Sequence, residues 1–397
     1  MSGRASTGDG LAGRYNVFAE LACGGMAMVY LGQLEGGHGF KRSVAIKRMH
    51  AQYARDQEFR NMFLDEARLV AKIRHPNVVP TLDVVARDDQ LLIVMEFVEG
   101  ESVSQIMATS KSPVPPKIAS AVAHDVLCGL HAAHELVGDD GELLGVIHRD
   151  VSPANVLVGK DGLARILDFG VAKAAGRSAP TRDGSIKGKV PYMPPEQLWG
   201  SELDRTVDTY ATAVVLWEML TGRRLFQGDN DAEVMKHVVE DEVLPPSAFV
   251  AGAAALDEVV MRGLSRDPSR RFQTAVDMAR AIEKALAPAP RLEIGEWVAS
   301  VAHESLAHRG RLLRAMQRGE SQPAPFEVAS LATFLTASTP RTAIGQSLAS
   351  AQPATRSTPW QRRMGVAAGV AAGVLVLGAT IGTAFFLRPS SRSIATA

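Results

Sequence analysis

Residues 364–387, MGVAAGVAAGVLVLGATIGTAFFL, run for 24 positions without a charged side chain. A run of this kind leaves few options. At ~1.5 Å of rise per residue it makes a helix of roughly 36 Å, enough to cross a hydrocarbon layer of about 30 Å with some tilt. A buried core helix is the alternative, and an uncharged stretch this long after a Ser/Pro/Thr-rich segment seldom belongs to a soluble core. The sequence therefore predicts one transmembrane helix over 364–387. Arg362 and Arg363 stand directly before it, with Arg356 and Arg341 further back, and Arg388 and Arg392 follow. The positive-inside bias then keeps everything N-terminal of the span in the cytoplasm and leaves residues 388–397 as a short tail outside. The first fifteen residues, MSGRASTGDGLAGRY, hold no apolar run of the secretory type, which agrees with a cytoplasmic N-terminus. Gly365, Gly369 and Gly373, then Gly378 and Gly382, recur every four residues. Small residues at that interval let two helices approach closely in lipid, so a homodimer through the span is one expectation, although Gly and Ala are common in membrane helices generally.

The rest of the chain has the composition of a globular protein. The whole chain has 397 residues, of which 46% are hydrophobic and 22% charged, enough for one large domain or two ordinary ones. A disordered tail protein and a disulfide mini-protein are excluded. The 43 basic residues balance 43 acidic ones, so net charge offers no reason to expect a nucleic-acid partner. The balance is uneven along the chain: residues 288–363 hold nine Arg against five acids. Cys23 and Cys128 form no CxxC and no metal-ligand spacing, and read as thiols in a reducing compartment.

Composition and periodicity divide the chain further. Residues 1–14 read as a disordered lead. Residues 320–363 shift to Ser, Thr, Ala, Pro and Gln without periodicity and read as a flexible juxtamembrane linker. Residues 288–319 form an accessory helical segment in which Ile294, Trp297, Val298, Val301, Leu312 and Met316 fall near helical spacing. That stripe packs on the preceding domain, or else on a membrane surface or partner. Within 15–287 the first part alternates short apolar runs (YNVFAEL, AMVYLGQL, SVAIKRM, LLIVMEFVEG) around one charged helical stretch, DQEFRNMFLDEARLVAKI. From about residue 116 helical periodicity takes over. An α+β layout follows, with a small antiparallel sheet unit ahead of a larger helical one.

The chemistry-bearing residues occur in a fixed order. Leu21-Ala22-Cys23-Gly24-Gly25 turns into Met26-Ala27-Met28-Val29, a Gly-rich strand-turn-strand whose backbone can close over phosphates. Val44-Ala45-Ile46-Lys47 follows on a strand, and Glu66 on the charged helix can hold the lysine. His148-Arg149-Asp150 precedes Asn155 by five residues from the Asp, and Asp168-Phe169-Gly170 closes the set. Asn155 and Asp168 offer the oxygen ligands that magnesium prefers, and Asp150 offers a carboxylate able to accept a proton from an attacking hydroxyl. Any one tripeptide could arise by chance; this succession could not.

At these residues the chain resembles the eukaryotic-type protein kinase family over about 15–287, in the wording of its bacterial serine/threonine members (GGMA, HRDVSPAN). The resemblance implies a bilobal protein kinase fold with an N-lobe over about 15–97 and a C-lobe over about 100–287. It implies ATP in the cleft between them, and Mg²⁺ with Mn²⁺ as an alternative. Lys47, fixed by Glu66, would hold the α- and β-phosphates, Asn155 and Asp168 the metal, and Asp150 the substrate hydroxyl of a protein. Leu21, Ala22, Cys23, Gly24, Gly25, Val29, Ala45 and Leu157 would surround the nucleotide, and Met95, Glu96 and Val98 would belong to the linker whose backbone binds adenine. Pro194-Pro195-Glu196, Asp208 and Arg271 stand where the family braces its catalytic loop. Arg149 would dock a phosphate on the activation loop, where Thr181, Ser178 and Ser185 are the available hydroxyls.

The chain departs from the family at two linked positions. Ser152 stands where serine/threonine kinases usually carry a lysine, and Lys189 stands where they usually carry a threonine. Either the pair is exchanged in space, Lys189 reaching the γ-phosphate and Ser152 bonding Asp150, or Lys189 points to solvent. The resemblance and the apolar run together imply an autophosphorylating serine/threonine protein kinase at the cytoplasmic membrane. The alternative is a pseudokinase scaffold that binds nucleotide and partners without efficient transfer.

Overall fold

Strands come first because β-branched and apolar residues alternate with charged ones there. β1 (Tyr15–Cys23), β2 (Ala27–Glu35) and β3 (Lys41–Met49) form an antiparallel meander. After a single turn, α1 (Ala51–Arg55), the main helix of the sheet lobe is α2 (Gln57–Val70). The Asp56 carboxylate caps α2 by accepting from the Phe59 amide at 3.0 Å. β4 (Thr81–Arg87) and β5 (Gln90–Glu96) complete a five-stranded sheet in the order β1-β2-β3-β5-β4. These facts come from a computed structural model that describes residues 14–24, 27–87, 90–110, 112–169 and 189–320, apart from the side chains of Glu58, Met62, Glu66 and Arg87.

Both faces of the sheet are covered. In β3 the fully buried Val44 and Ile46 point to one side with Tyr30 and Val94. The period of two sends Ala45 and Met49 to the other, against Phe63 of α2, Leu91 and Met95. Burying a side chain of this size contributes about 1.5–3 kcal/mol.

The helical lobe begins at β6 (Gly100–Ser102) and α3 (Val103–Thr109), followed by α4 (Pro116–His134). A 3₁₀ turn (Pro153–Asn155) leads into β7 (Val156–Gly159) and β8 (Ala164–Ile166), which pair with β6 in a small second sheet. α5 (Pro195–Leu198), α6 (Thr206–Thr221), α7 (Asp231–Glu240), α8 (Asp257–Gly263) and α9 (Ala275–Ala285) follow. α6 is buried at every position from Thr206 to Thr221, so it forms the axis of this lobe and carries no amphipathic stripe. Two more helices, α10 (Arg291–Val301) and α11 (His303–Gln317), end the described chain. The architecture is two lobes, an antiparallel sheet with one main helix and a larger helical body.

The helix expected over 364–387, the linker before it and the tail after it lie outside the described residues. Among the described residues no helix is long and apolar enough to cross a membrane. The stripe of residues 288–319 lies on α10 and α11, where Ile294 and Val298 enter the core of the helical lobe and Met316 packs beside Leu31 of the sheet.

Candidate active site

Lys47 sits mid-strand in β3, opposite Val29 of β2 and Ile93 of β5. Strand parity turns it away from Val44 and Ile46 toward the space between the lobes. There its ammonium meets the carboxylate of Asp168, Nζ to Oδ1 2.8 Å. Glu66, the partner expected from sequence, lies on α2 with its side chain outside the described residues. The turn after β1 is closed by the Gly24 amide, which donates to the Ala27 carbonyl at 2.9 Å. Leu21, Ala22 and Cys23 end β1 and Val29 faces Ala22 across the pair; Gly25 is outside the described residues. Ala45 pairs with the buried Met95, and Glu96 ends β5. Val98 packs on the same cluster as Ala45 and Met95, while Leu157 on β7 lies opposite Ser102.

Asp168 is delivered to Lys47 by a strained backbone. Its φ is +48° and that of Arg149 is +60°, the left-handed region, which costs a residue with a Cβ about 1–3 kcal/mol. Hydrogen bonds on both sides hold the strain. The Leu167 amide donates to the Asn155 carbonyl at 2.8 Å, and His148 Nε2 donates to the Leu167 carbonyl at 2.8 Å. The His148 ring also lies against Phe169, with centroids 4.7 Å apart.

Beneath the loop, in the first turn of α6, Asp208 accepts from the amides of His148 and Arg149 and from His134 Nε2, each at 2.8 Å. Burial alone would raise the Asp208 carboxyl; the His134 hydrogen bond and charge, with the His148 amide, hold it below the usual range. Burial pushes the His148 imidazole down and so keeps it neutral. The neutral ring is the form the network needs, since Nδ1 accepts from the Asp150 amide at 3.2 Å while Nε2 donates.

Asp150 is thereby aimed into the same cleft. Asn155 Nδ2 donates to its carbonyl at 2.8 Å and to its Oδ2 at 3.0 Å. The Lys189 ammonium pairs with that same Oδ2. Of the two arrangements open in the sequence, the structure therefore has Lys189 turned inward. Ser152 is buried, its carbonyl accepts the Asn155 amide at 2.9 Å, and its hydroxyl contributes no bond to the Asp150 carboxylate among the described residues. Lys189 is held in place by the residues that follow it: Val190 is fully buried, and the Tyr192 hydroxyl donates to Glu218 at 2.8 Å.

Two groups of this site carried no signal in the sequence. His134 comes from α4 to hold Asp208, and Gln197 Nε2 donates to the Arg149 carbonyl at 3.0 Å. Each acts across a long stretch of chain, and only a local pattern announces itself in sequence. Arg149 keeps its Nε buried without a hydrogen-bond partner among the described residues. Ser178, Thr181 and Ser185 lie outside those residues.

A lysine on a strand and two aspartates on strained loops, one of those loops braced by a buried Asp, match a known pattern: the protein kinase domain family matches residues 15–280. The chain belongs to that family. This kinase domain is 38% identical to the tyrosine-protein kinase MasK of Myxococcus xanthus over 275 residues, which make up 68% of this chain and 43% of MasK. It is 35% identical to the serine/threonine-protein kinase PknB of Mycobacterium tuberculosis over 280 residues, 69% of this chain and 43% of PknB. The aligned part thus spans less than half of either relative. Among solved structures, the PknI kinase domain of M. tuberculosis superposes with a TM-score of 0.53 at 28% identity, covering 68% of this chain and 96% of that one.

Kinase domains use ATP with a divalent metal such as Mg²⁺, and the donor set here fits one. Asn155 spends its amide nitrogen on Asp150, which leaves its side-chain oxygen as a hard donor, and Asp168, next to the Leu167 whose amide donates to the Asn155 carbonyl, offers a carboxylate. Among the described residues no group of three His, Cys, Asp or Glu could hold an ion by itself. Two protein oxygens that share an ion with phosphates are what Mg²⁺ accepts.

Proposed function

We propose that the chain is a protein-serine/threonine kinase that transfers the ATP γ-phosphoryl group to protein hydroxyls, its own among them. The observation that carries this reading is the meeting of Lys47 with Asp168 across the cleft from an Asp150 held by Asn155. Lys47 holds the α- and β-phosphates. Asp150 aligns the substrate hydroxyl and accepts its proton as the oxygen bonds to the γ-phosphorus and the bond to the departing ADP oxygen breaks. A Mg²⁺ ion held by Asn155 and Asp168 would supply charge neutralisation on the phosphates. Almost all of the acceleration in such a site comes from position and charge, so the braces described above serve the rate as well as the fold.

The likeness to MasK, a tyrosine-protein kinase, supports a second reading, tyrosine as acceptor, because Ser152 removes the lysine usual in serine/threonine kinases. Incubating the full chain with γ-labelled ATP and Mg²⁺, then hydrolysing it to phosphoamino acids, separates the two. Label on serine and threonine supports the main reading and label on tyrosine the second. No label on the chain or on added protein would leave a nucleotide-binding scaffold.

Lys189 replaces the missing lysine in this scheme. Its ammonium already touches the proton acceptor, and a γ-phosphate beside Asp150 brings negative charge to the same spot. Lys189→Ala should therefore lower kcat by about 10²-fold. The exchange Ser152→Lys with Lys189→Thr should recover at least about tenfold of that loss, since the charge returns from the other wall. Full activity of Lys189→Ala would remove Lys189 from the mechanism.

Residues 15–287 form the kinase domain and 288–319 its accessory segment, with 320–363 as a tether to a membrane helix over 364–387. The uncharged run and the arginines before it support a single-pass anchor in the cytoplasmic membrane, kinase inside. Tethered copies, pairing through the glycine face, would phosphorylate one another more readily because the tether raises their local concentration. Release of the full chain from membranes by alkaline carbonate would overturn the anchor. An activation-loop phosphate on Thr181, Ser178 or Ser185 would find the guanidinium of Arg149, whose Nε has no hydrogen-bond partner among the described residues.

A further inference from the structure

The family match ends at residue 280, yet the described chain continues through two helices that touch both lobes. α10 is fastened to the helical lobe. Ile294 and Val298 are 3% and 0% exposed in its core, and Gly295 lies so close to the loop after β7 that a Cβ there would stand 2.3 Å from the Lys160 carbonyl. α11 is fastened to the sheet lobe. Leu313 and Met316 pack with the fully buried Leu31, and Phe18, Leu21, Phe97 and Leu312 close around them. Between the two anchorages, Arg309 donates to the Gly100 carbonyl and, from Nη2 at 3.0 Å, to Glu101 Oε1. The Glu101 side chain is 3% exposed. A carboxylate so deeply buried needs a cation, and the cation comes from α11.

The places that α11 touches are specific. Leu21 lies near the end of β1, the strand that would roof the nucleotide, and Phe97 lies in the linker whose backbone would meet adenine. The helix thus presses from outside on the two elements that grip the nucleotide from inside. We propose that α10 and α11 are a strap that fixes the two lobes in their nucleotide-binding arrangement, with Arg309 as a positioning residue for ATP. The inference rests on the reading of the cleft as an ATP site. Each lobe has its own core, so a lifted strap leaves a folded chain whose lobes spend less time closed. Apparent ATP affinity then falls by the fraction of time lost.

The test uses the full chain, direct ATP binding by calorimetry, steady-state kinetics and hydrogen exchange of the α11 amides. In Met316→Asp and in Arg309→Glu, α11 should exchange faster. If the closed fraction drops to about a tenth, Kd and KM for ATP rise about tenfold, while kcat at saturating ATP stays within about twofold. The double reversal Arg309→Glu with Glu101→Arg should restore Kd to within about threefold, because it rebuilds the pair with its charges exchanged. A purely structural role would lower kcat and thermal stability together and leave Kd and KM for ATP unmoved. Unchanged Kd in a variant whose α11 exchanges fast overturns the strap, and so does an α11 that stays protected in both variants, since neither contact would then hold it. Failure of the parent itself to bind ATP overturns the strap and the kinase reading together; equal binding by parent and variants sinks only the strap.

Discussion

Asp150→Asn is expected to slow phosphoryl transfer by about 10³-fold, the upper-middle range for loss of a positioned proton acceptor. The substitution changes almost nothing in shape. An amide at this site still meets Asn155, and the backbone bonds of residue 150, its amide donating to His148 Nδ1 and its carbonyl accepting from Asn155 Nδ2, do not involve its carboxylate. What disappears is the negative charge that takes the hydroxyl proton and that holds Lys189 over the reacting groups. Stability should change little, because Lys189 is 43% exposed and water can solvate it when the pair is lost. Two independent contributions would make the double variant with Lys189→Ala about 10⁵-fold slow, whereas groups that act as one unit give a double variant barely slower than Asp150→Asn. The shared Oδ2 predicts the second outcome. Single-turnover measurement with γ-labelled ATP, at concentrations that saturate each variant, reads both values. An Asp150→Asn chain within tenfold of the parent would sink the assignment of Asp150 as proton acceptor.

The parts of this site that could be read in the sequence are those carried by short motifs on regular elements. Lys47 follows three strand residues, and the period of two already turns it away from Val44 and Ile46. Asp150 and Asn155 lie five residues apart on one loop, and Asp168 heads a tripeptide of its own. Sheet unit before helical unit was legible for the same reason: periodicity is local. Contacts between distant segments were not. The apolar stripe from Ile294 to Met316 announces that a helix buries something, but a helical period names the face and not its partner, and that partner proved to be both lobes. Glu101, on the short strand β6 in a polar run just before α3, reads as an ordinary surface acid until Arg309 arrives from α11. Lys189 could as well have faced solvent, because nothing in GKVPYMPPE tells which way a residue before a 3₁₀ turn points. The turn itself decides it, by burying Val190 and Tyr192 and leaving Lys189 over the catalytic loop. The all-buried α6 is a further case, since a helix apolar all round carries no moment from which to read its orientation.

Arg271→Ala should cost about 3–5 kcal/mol of folding stability, a large part of the 5–15 kcal/mol typical of a whole domain. Arg271 has no exposed side-chain surface and meets Glu196 through two parallel bonds of 2.6 and 2.9 Å. Its remaining donors reach the carbonyls of Ser265, at 2.7 Å, and Arg266, at 3.2 Å, and its guanidinium lies 4.8 Å from the Tyr210 ring centre. Removing it leaves a cavity, unsatisfied carbonyls and a carboxylate with no counter-charge, and the last of these dominates. Arg271→Lys tests which feature matters. Lysine keeps the charge but not the planar fork, so it should recover about half of the loss if charge is the main term and almost none if the paired geometry is. Urea unfolding of the parent and both variants at one pH gives the midpoints. The consequence for catalysis follows from position: Glu196 begins the short helix α5, four residues after Tyr192 and seven after Lys189. A lysine variant that still folds would hold that segment less firmly, so kcat should fall while ATP affinity stays at the parent value. A loss below about 1 kcal/mol for Arg271→Ala would mean that the segment carrying Lys189 is anchored by Val190 and Tyr192 alone.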